Sequence, residues 1–299
     1  MNRREFLARG AAATLAGTLG SSASQGAADP ASTDGWILGC YTRPWDQHDY
    51  RVALDGIAEA GFSHAGILTA KGKSWVMITA ETSPEEAAAI GAQVRQRGLK
   101  TASVYGDYRP TAVVADNVKA LQALVGHCVA CGSPDLLLGG AGDEKLYEPY
   151  YKSIAEVCDF AQAKGVRLTI KPHGGQIATG PHCRKAIESV GHRNFRLWYD
   201  PGNIFYYSDG QLDPVTDAAT VDGLVAGMSV KDYRHPKEVL VTPGTGKVDF
   251  PSVFARLKQG GFTRGPLVVE CLDRGEPASV TAQARKARLF LERLVGRTA

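Results

Sequence analysis

Apolar positions along this chain switch repeatedly between a strand-like and a helix-like period. Runs of strand length, bounded by Gly, Pro or Asn, cover Trp36 to Tyr41, Ser63 to Leu68, Leu99 to Tyr105, Pro134 to Gly139, Val166 to Lys171, Phe195 to Asp200, Val225 to Lys231 and Pro266 to Cys271. Helical spacing fills the gaps at Asp49 to Ala60, Pro84 to Arg97, Ala112 to Cys131, Tyr147 to Lys164, Pro181 to Val190, Asp213 to Gly223, Phe250 to Gln259 and Ser279 to Val295. Ser83-Pro84-Glu85-Glu86 is a helix start, with a capping Ser, Pro in the first turn and acids at the positive end. Gly98, Gly132, Gly165 and Gly261 stand where helices should end. This βα alternation predicts an α/β fold, a single-domain (β/α)8 TIM barrel over residues 36–296. A doubly wound open sheet is the alternative, and no G-x-G-x-x-G turn follows the first strand to support it.

The residues before the barrel have a different character. Asn2-Arg3-Arg4-Glu5-Phe6-Leu7 is followed by an Ala- and Gly-rich run to Leu19 and a small, polar stretch to Ala31. That order predicts a twin-arginine export signal with a linker over residues 1–30, and a periplasmic or secreted protein. The apolar run is shorter than the roughly 20 residues a membrane span needs, so no stable membrane anchor is expected.

Composition removes some partners. With 34 basic and 31 acidic residues and a net charge of +3, the surface carries no polyanion-binding signature, so nucleic acid is not expected. The six cysteines permit disulfides without requiring them in a chain this long. Cys128 and Cys131 form C-x-x-C on a helix-patterned segment with apolar neighbours, which reads as two buried thiols, with a redox motif as the alternative.

The chemistry gathers at strand ends. RLTIKPH ends in Lys171 and His173, RLWYDPGN in Asp200 and Asn203, AGMSVKD in Lys231 and Asp232, and GPLVVEC in Glu270. Barrel strands bring their carboxyl ends to one mouth, where barrel enzymes keep their sites. Two lysines there can stabilise an enolate or alkoxide, and Glu270 or His173 can serve as the base beside a carbonyl. The alternative is a set of structural ion pairs joining Lys171 to Glu270 and Lys231 to Asp200 or Asp232. Tyr41 and Arg43 after the first strand, and Tyr105 and Arg109 around the third, are candidate sugar contacts, as is His235 beyond Asp232.

The last four strands, with Gly244-Thr245-Gly246-Lys247-Val248-Asp249-Phe250 and Leu257-Lys258-Gln259-Gly260-Gly261-Phe262, resemble the xylose isomerase-like barrel superfamily of sugar phosphate isomerases and epimerases. Less specifically, the resemblance runs from Trp36 to Leu294. It implies one divalent cation (Mn, Mg or Zn) held by Glu, Asp, His and Glu at the ends of strands five to eight, polarising a sugar carbonyl while carboxylates move a proton. Asp200 and Glu270 occupy ligand positions, but Lys171 replaces the first Glu and Ser229 the His, while Asn203 stands where a His often follows the Asp. His173 matches a substrate-contacting His and is a further ligand candidate. An ammonium has no lone pair for a cation, so the metal is expected to be absent, and no nucleotide cofactor is expected. The resulting expectation is an exported carbohydrate isomerase, epimerase or lyase acting by proton abstraction beside a sugar carbonyl. A catalytically inactive barrel that binds a sugar or a protein partner is the alternative. An endonuclease-like activity would need a His-rich multi-metal cluster that the chain lacks. Substrate, stereochemistry and oligomeric state are not legible.

Overall fold

In the computed structural model, residues 35–297 except residue 73 are described, so the expected export signal lies outside them. The strands are β1 (Trp36–Tyr41), β2 (His64–Ile67), β3 (Ile78–Thr79), β4 (Lys100–Asp107), β5 (Asp135–Leu138), β6 (Arg167–Ile170), β7 (Phe195–Tyr199), β8 (Val225–Val230) and β9 (Gly265–Val269). All ladders between them are parallel, in the order β2-β1-β9-β8-β7-β6-β5-β4-β3, and a β2–β4 pairing closes the ring. β3 adds only two residues beside the end of β4, leaving a closed eight-stranded barrel. Helices α1 (Tyr50–Glu59), α2 (Pro84–Gln96), α3 (Val114–Cys131), α4 (Tyr147–Ala163), α5 (Gly180–Val190), α6 (Pro201–Tyr207), α7 (Pro214–Ala218), α8 (Phe250–Gln259) and α9 (Pro277–Leu294) connect them.

Besides β3 and short 3-10 turns, which were not expected, two elements depart from the sequence expectation. The segment from Asp213 breaks after α7 into a 3-10 turn at Ala219–Val221, so it is not one helix. α6 was not expected; Asp200 caps it by accepting from the Asn203 N–H at 3.0 Å, and Pro201 fills its first turn.

Alternation sorts each strand into two faces. Leu38 and Cys40 of β1, Leu197 and Tyr199 of β7 and Leu267 and Val269 of β9 pack outward with the helices. Tyr41, Tyr105, Leu137, Trp198 and Val268 form a separate cluster inside the barrel. That inner plug is the floor of the site. All six cysteines are buried and free, Cys128 and Cys131 among them.

Candidate active site

Above the inner plug, the next inward positions are charged. Lys171 follows β6, Asp200 β7, Lys231 β8 and Glu270 β9, and each is 2% exposed or less. The Lys171 ammonium lies 2.5 Å from Glu270 Oε2 and 3.1 Å from Asp200 Oδ2. Lys231 donates to Asn203 Oδ1 at 3.0 Å and forms ion pairs with Glu270 Oε1 at 2.7 Å and Asp200 Oδ2 at 3.2 Å. Arg43 reaches Glu270 Oε1 at 2.8 Å, with its guanidinium 5.7 Å from the ring centre of Trp75.

Burial alone would push Glu270 up, yet Lys171, Lys231 and Arg43 outweigh it and hold its carboxyl well below the usual range. Burial alone would push Lys171 down, but Glu270 and Asp200 leave it raised. Glu270 is therefore held as a carboxylate and Lys171 as an ammonium. By formal charge, three cations against two carboxylates leave the cluster with one net positive charge.

That charge is felt by His173, whose pKa is lowered to about 3, first by burial and then by Lys171 and Lys231, so the imidazole is neutral. Its ring lies 6.4 Å from that of Tyr105 and 5.9 Å from that of Tyr207. The chain makes room for both rings with glycine. A Cβ on Gly139 would fall 2.5 Å from the Tyr105 hydroxyl, and one on Gly174, at φ +84°, 2.6 Å from the Tyr207 ring. A cavity of about 340 Å³ opens here, lined by Trp75, Tyr105, Asp107, Gly139, His173 and Gly174 among others. It lies at the low end of the range for ligand pockets and admits a monosaccharide.

The structure thus brings Lys171, Lys231, Asp200, Glu270 and Arg43 into one cluster, with Tyr105 and His173 at the cavity above. It gives other sequence-named residues different work. Tyr41 is fully buried and donates to Ser103 Oγ at 3.2 Å inside the barrel. Asn203 donates to the Pro172 carbonyl at 2.7 Å and accepts from Lys231, so it positions that lysine. Asp232 is turned into the following loop, where it accepts the backbone N–H groups of Tyr233, Gly244, Gly246 and Val248 at 2.8–3.0 Å. His235 and Arg109 are exposed. Asp107 and Trp75 carried no functional assignment from the sequence. Asp107 was legible, because it sits two residues beyond Tyr105 on the same strand face; Trp75 lies in a loop where no periodicity places it.

The donor set does not suit a divalent cation. Asp200 Oδ2 and both carboxylate oxygens of Glu270 are taken by two ammoniums, and Ser229 offers a hydroxyl in place of an imidazole. Among the described residues, no group of three or more His, Cys, Asp or Glu side chains converges as a metal site.

The model of the xylose isomerase-like TIM barrel family matches residues 54–294. The chain belongs to this family. A search of curated proteins returned no match. Among solved structures, a D-psicose 3-epimerase in the presence of D-fructose superposes with a TM-score of 0.68 at 14% identity, covering 87% of this chain and 99% of that one. A D-allulose 3-epimerase from Methylomonas sp. gives 0.67 at 17% identity over 87% and 98%. A xylose isomerase domain protein from Planctomyces limnophilus gives 0.65 at 18% over 87% and 97%. At these identities the superpositions describe the fold.

Proposed function

We propose that this protein is a carbohydrate isomerase or epimerase that moves a proton at the carbon beside a sugar carbonyl, with lyase chemistry through the same enolate as its variant. The observation that carries the reading is the Lys171 ammonium bridging Asp200 and Glu270 at 5.9 Å from the ring centre of Tyr105, which lines a monosaccharide-sized cavity. In this reading the buried cations take over the electrostatic work that the family resemblance gives to a metal. A fixed positive charge under the mouth lowers the energy of an oxyanion forming above it and costs no reorganisation when the charge develops. The neutral His173 imidazole can donate a hydrogen bond to a sugar oxygen, and Trp75, 56% exposed, offers a ring face to the sugar. The similarity to structures of sugar 3-epimerases supports a ketose as substrate.

Export through the twin-arginine route belongs to the same proposal and rests on Arg3 and Arg4. A periplasmic or secreted enzyme would meet free, oxidised or glycosidic sugars, because sugar phosphates are kept in the cytoplasm. No helix among the described residues is long and apolar enough to cross a membrane.

The second reading, an inactive sugar-binding barrel, draws on Glu270 being tied to three cations. Chelator-treated protein incubated with D-fructose, D-allulose or D-tagatose separates the two readings. Isomer formation, seen by chromatography, supports the enzyme; saturable sugar binding without isomer formation supports the binding module.

A further inference from the structure

With Glu270 held ionised by Lys171, Lys231 and Arg43, the site needs another group to take the proton. β4 supplies one. Ser103 and Tyr105 face into the barrel, since Ser103 accepts from Tyr41 and Tyr105 packs on the inner plug, and two-residue alternation turns Asp107 the same way. Two strand residues span about 7 Å, so Asp107 stands one layer nearer the mouth than Tyr105. It lines the same cavity as His173 and Trp75.

Its state differs from that of the carboxylates below. Asp107 is exposed and has no ion pair among the described residues. Its carboxyl is raised above the usual Asp range, first by partial desolvation, against the Tyr108 N–H it accepts, with the Glu81 carboxylate adding to the rise. A raised, unpaired carboxylate is a better base than one clamped by three cations. The other titratable side chains lining this cavity are Tyr105 and His173.

We propose that Asp107 is the catalytic base of this mouth, abstracting the proton beside a ketose carbonyl and returning it, with His173 donating to the substrate oxygen from another wall of the cavity. The proposal rests on the isomerase reading of the same site. In the forward step the Asp107 carboxylate takes the C–H proton, the C–H electron pair becomes a C–C π bond, and the carbonyl π pair moves onto oxygen. Return of the proton on the same face to the neighbouring, former carbonyl carbon gives the isomer, while the hydroxyl proton of the first carbon passes through the neutral His173 imidazole to the new alkoxide; inversion to an epimer would need a second proton donor on the opposite face. The isomerisation restores the carboxylate and the imidazole with no net redox change.

The test is deuterium uptake at the carbon beside the carbonyl, followed by NMR in D2O with D-fructose, D-allulose and D-tagatose in turn. Wild-type protein, Asp107→Asn and Asp107→Glu are compared, and thermal melts confirm that each variant folds. Asp107→Asn should lose about a hundred-fold or more of the exchange rate, while Asp107→Glu retains part of it. Exchange by Asp107→Asn within about ten-fold of an active wild type overturns the assignment of the base and leaves the isomerase reading standing. A wild-type protein that exchanges no hydrogen in any of these ketoses removes the isomerase reading, and the role of Asp107 with it.

Discussion

Replacing Lys171 by Glu tests whether its ammonium stands in for a metal. The variant loses the contacts to Glu270 at 2.5 Å and Asp200 at 3.1 Å and adds a third carboxylate to a sealed site. Breaking one buried ion pair costs about 3–5 kcal/mol. At 2–4 °C per kcal/mol for a domain near this size, the midpoint of thermal unfolding should fall by roughly 6–20 °C in chelator. The same substitution supplies the missing oxygen donor, so Mn²⁺ should now bind among three carboxylates. At a hundred times its Kd, bound metal returns about 2.7 kcal/mol, or roughly 5–11 °C. Lys171→Met is the control, with a similar fall and no recovery. The assay is thermal unfolding by circular dichroism with and without Mn²⁺, together with metal analysis of the purified protein. Stoichiometric, tightly held metal in the wild type would refute the reasoning, as would a Lys171→Glu variant indifferent to Mn²⁺.

Other consequences are accessible to simple measurements. Glu270→Gln leaves Arg43, Lys171 and Lys231 facing one another, so its thermal midpoint should drop about as far as that of Lys171→Met; an unchanged midpoint with a turnover loss of about a hundred-fold or more would return the role of base to Glu270. Acid should destabilise the fold in two windows. His173, depressed to about 3, leaves the unfolded chain binding the extra proton below 6.5, so stability falls from that pH downward and His173→Gln should flatten this limb in urea titrations. Glu270, depressed below 4.5, contributes stability above that value and loses it as pH falls further, so Glu270→Gln should remove the steeper, more acidic limb while sparing the first. Converting Arg3 and Arg4 to Lys should trap the precursor in the cytoplasm, and unchanged periplasmic yield on cell fractionation would discard the export proposal.

Much of the fold was legible because its code is local. Each barrel strand is an apolar run closed by Gly, Pro or Asn, and the strand limits observed for β1, β7 and β8 fall within a residue of those read from the sequence. The α6 helix escaped because seven residues are too few for a helical period, although Asp200-Pro201 carries a cap and a first-turn proline. At the site, alternation alone brings Lys171, Asp200, Lys231 and Glu270 to one layer. The pairing of Lys171 with Glu270 was legible, but not whether Lys231 would choose Asp200 or Asp232. Asp232 shows why: it immediately follows Lys231, and successive strand residues point to opposite faces, so four loop amides rather than the mouth receive its carboxylate. Asn203 and Tyr41 were drawn inward by hydrogen bonds to Lys231, Pro172 and Ser103, contacts spanning 28 or more residues that no local pattern encodes.

In the proposed reading, the exchange of a metal for ammoniums does more than fill a hole. The ligand set implied by the family resemblance, with three carboxylates, a neutral His and one divalent cation, carries one net negative charge. Here two carboxylates face Lys171, Lys231 and Arg43, and the sign is reversed. A positive floor stabilises an oxyanion in the cavity, but the same field makes the floor's own carboxylates poor bases. It also keeps His173 neutral, which preserves a hydrogen-bond donor and removes a general acid from the physiological range. Under the proposed chemistry, a site with this charge has to find its base away from the cluster. Asp107, a layer above Tyr105 and without an ion pair among the described residues, is a carboxylate of the cavity wall that meets that condition.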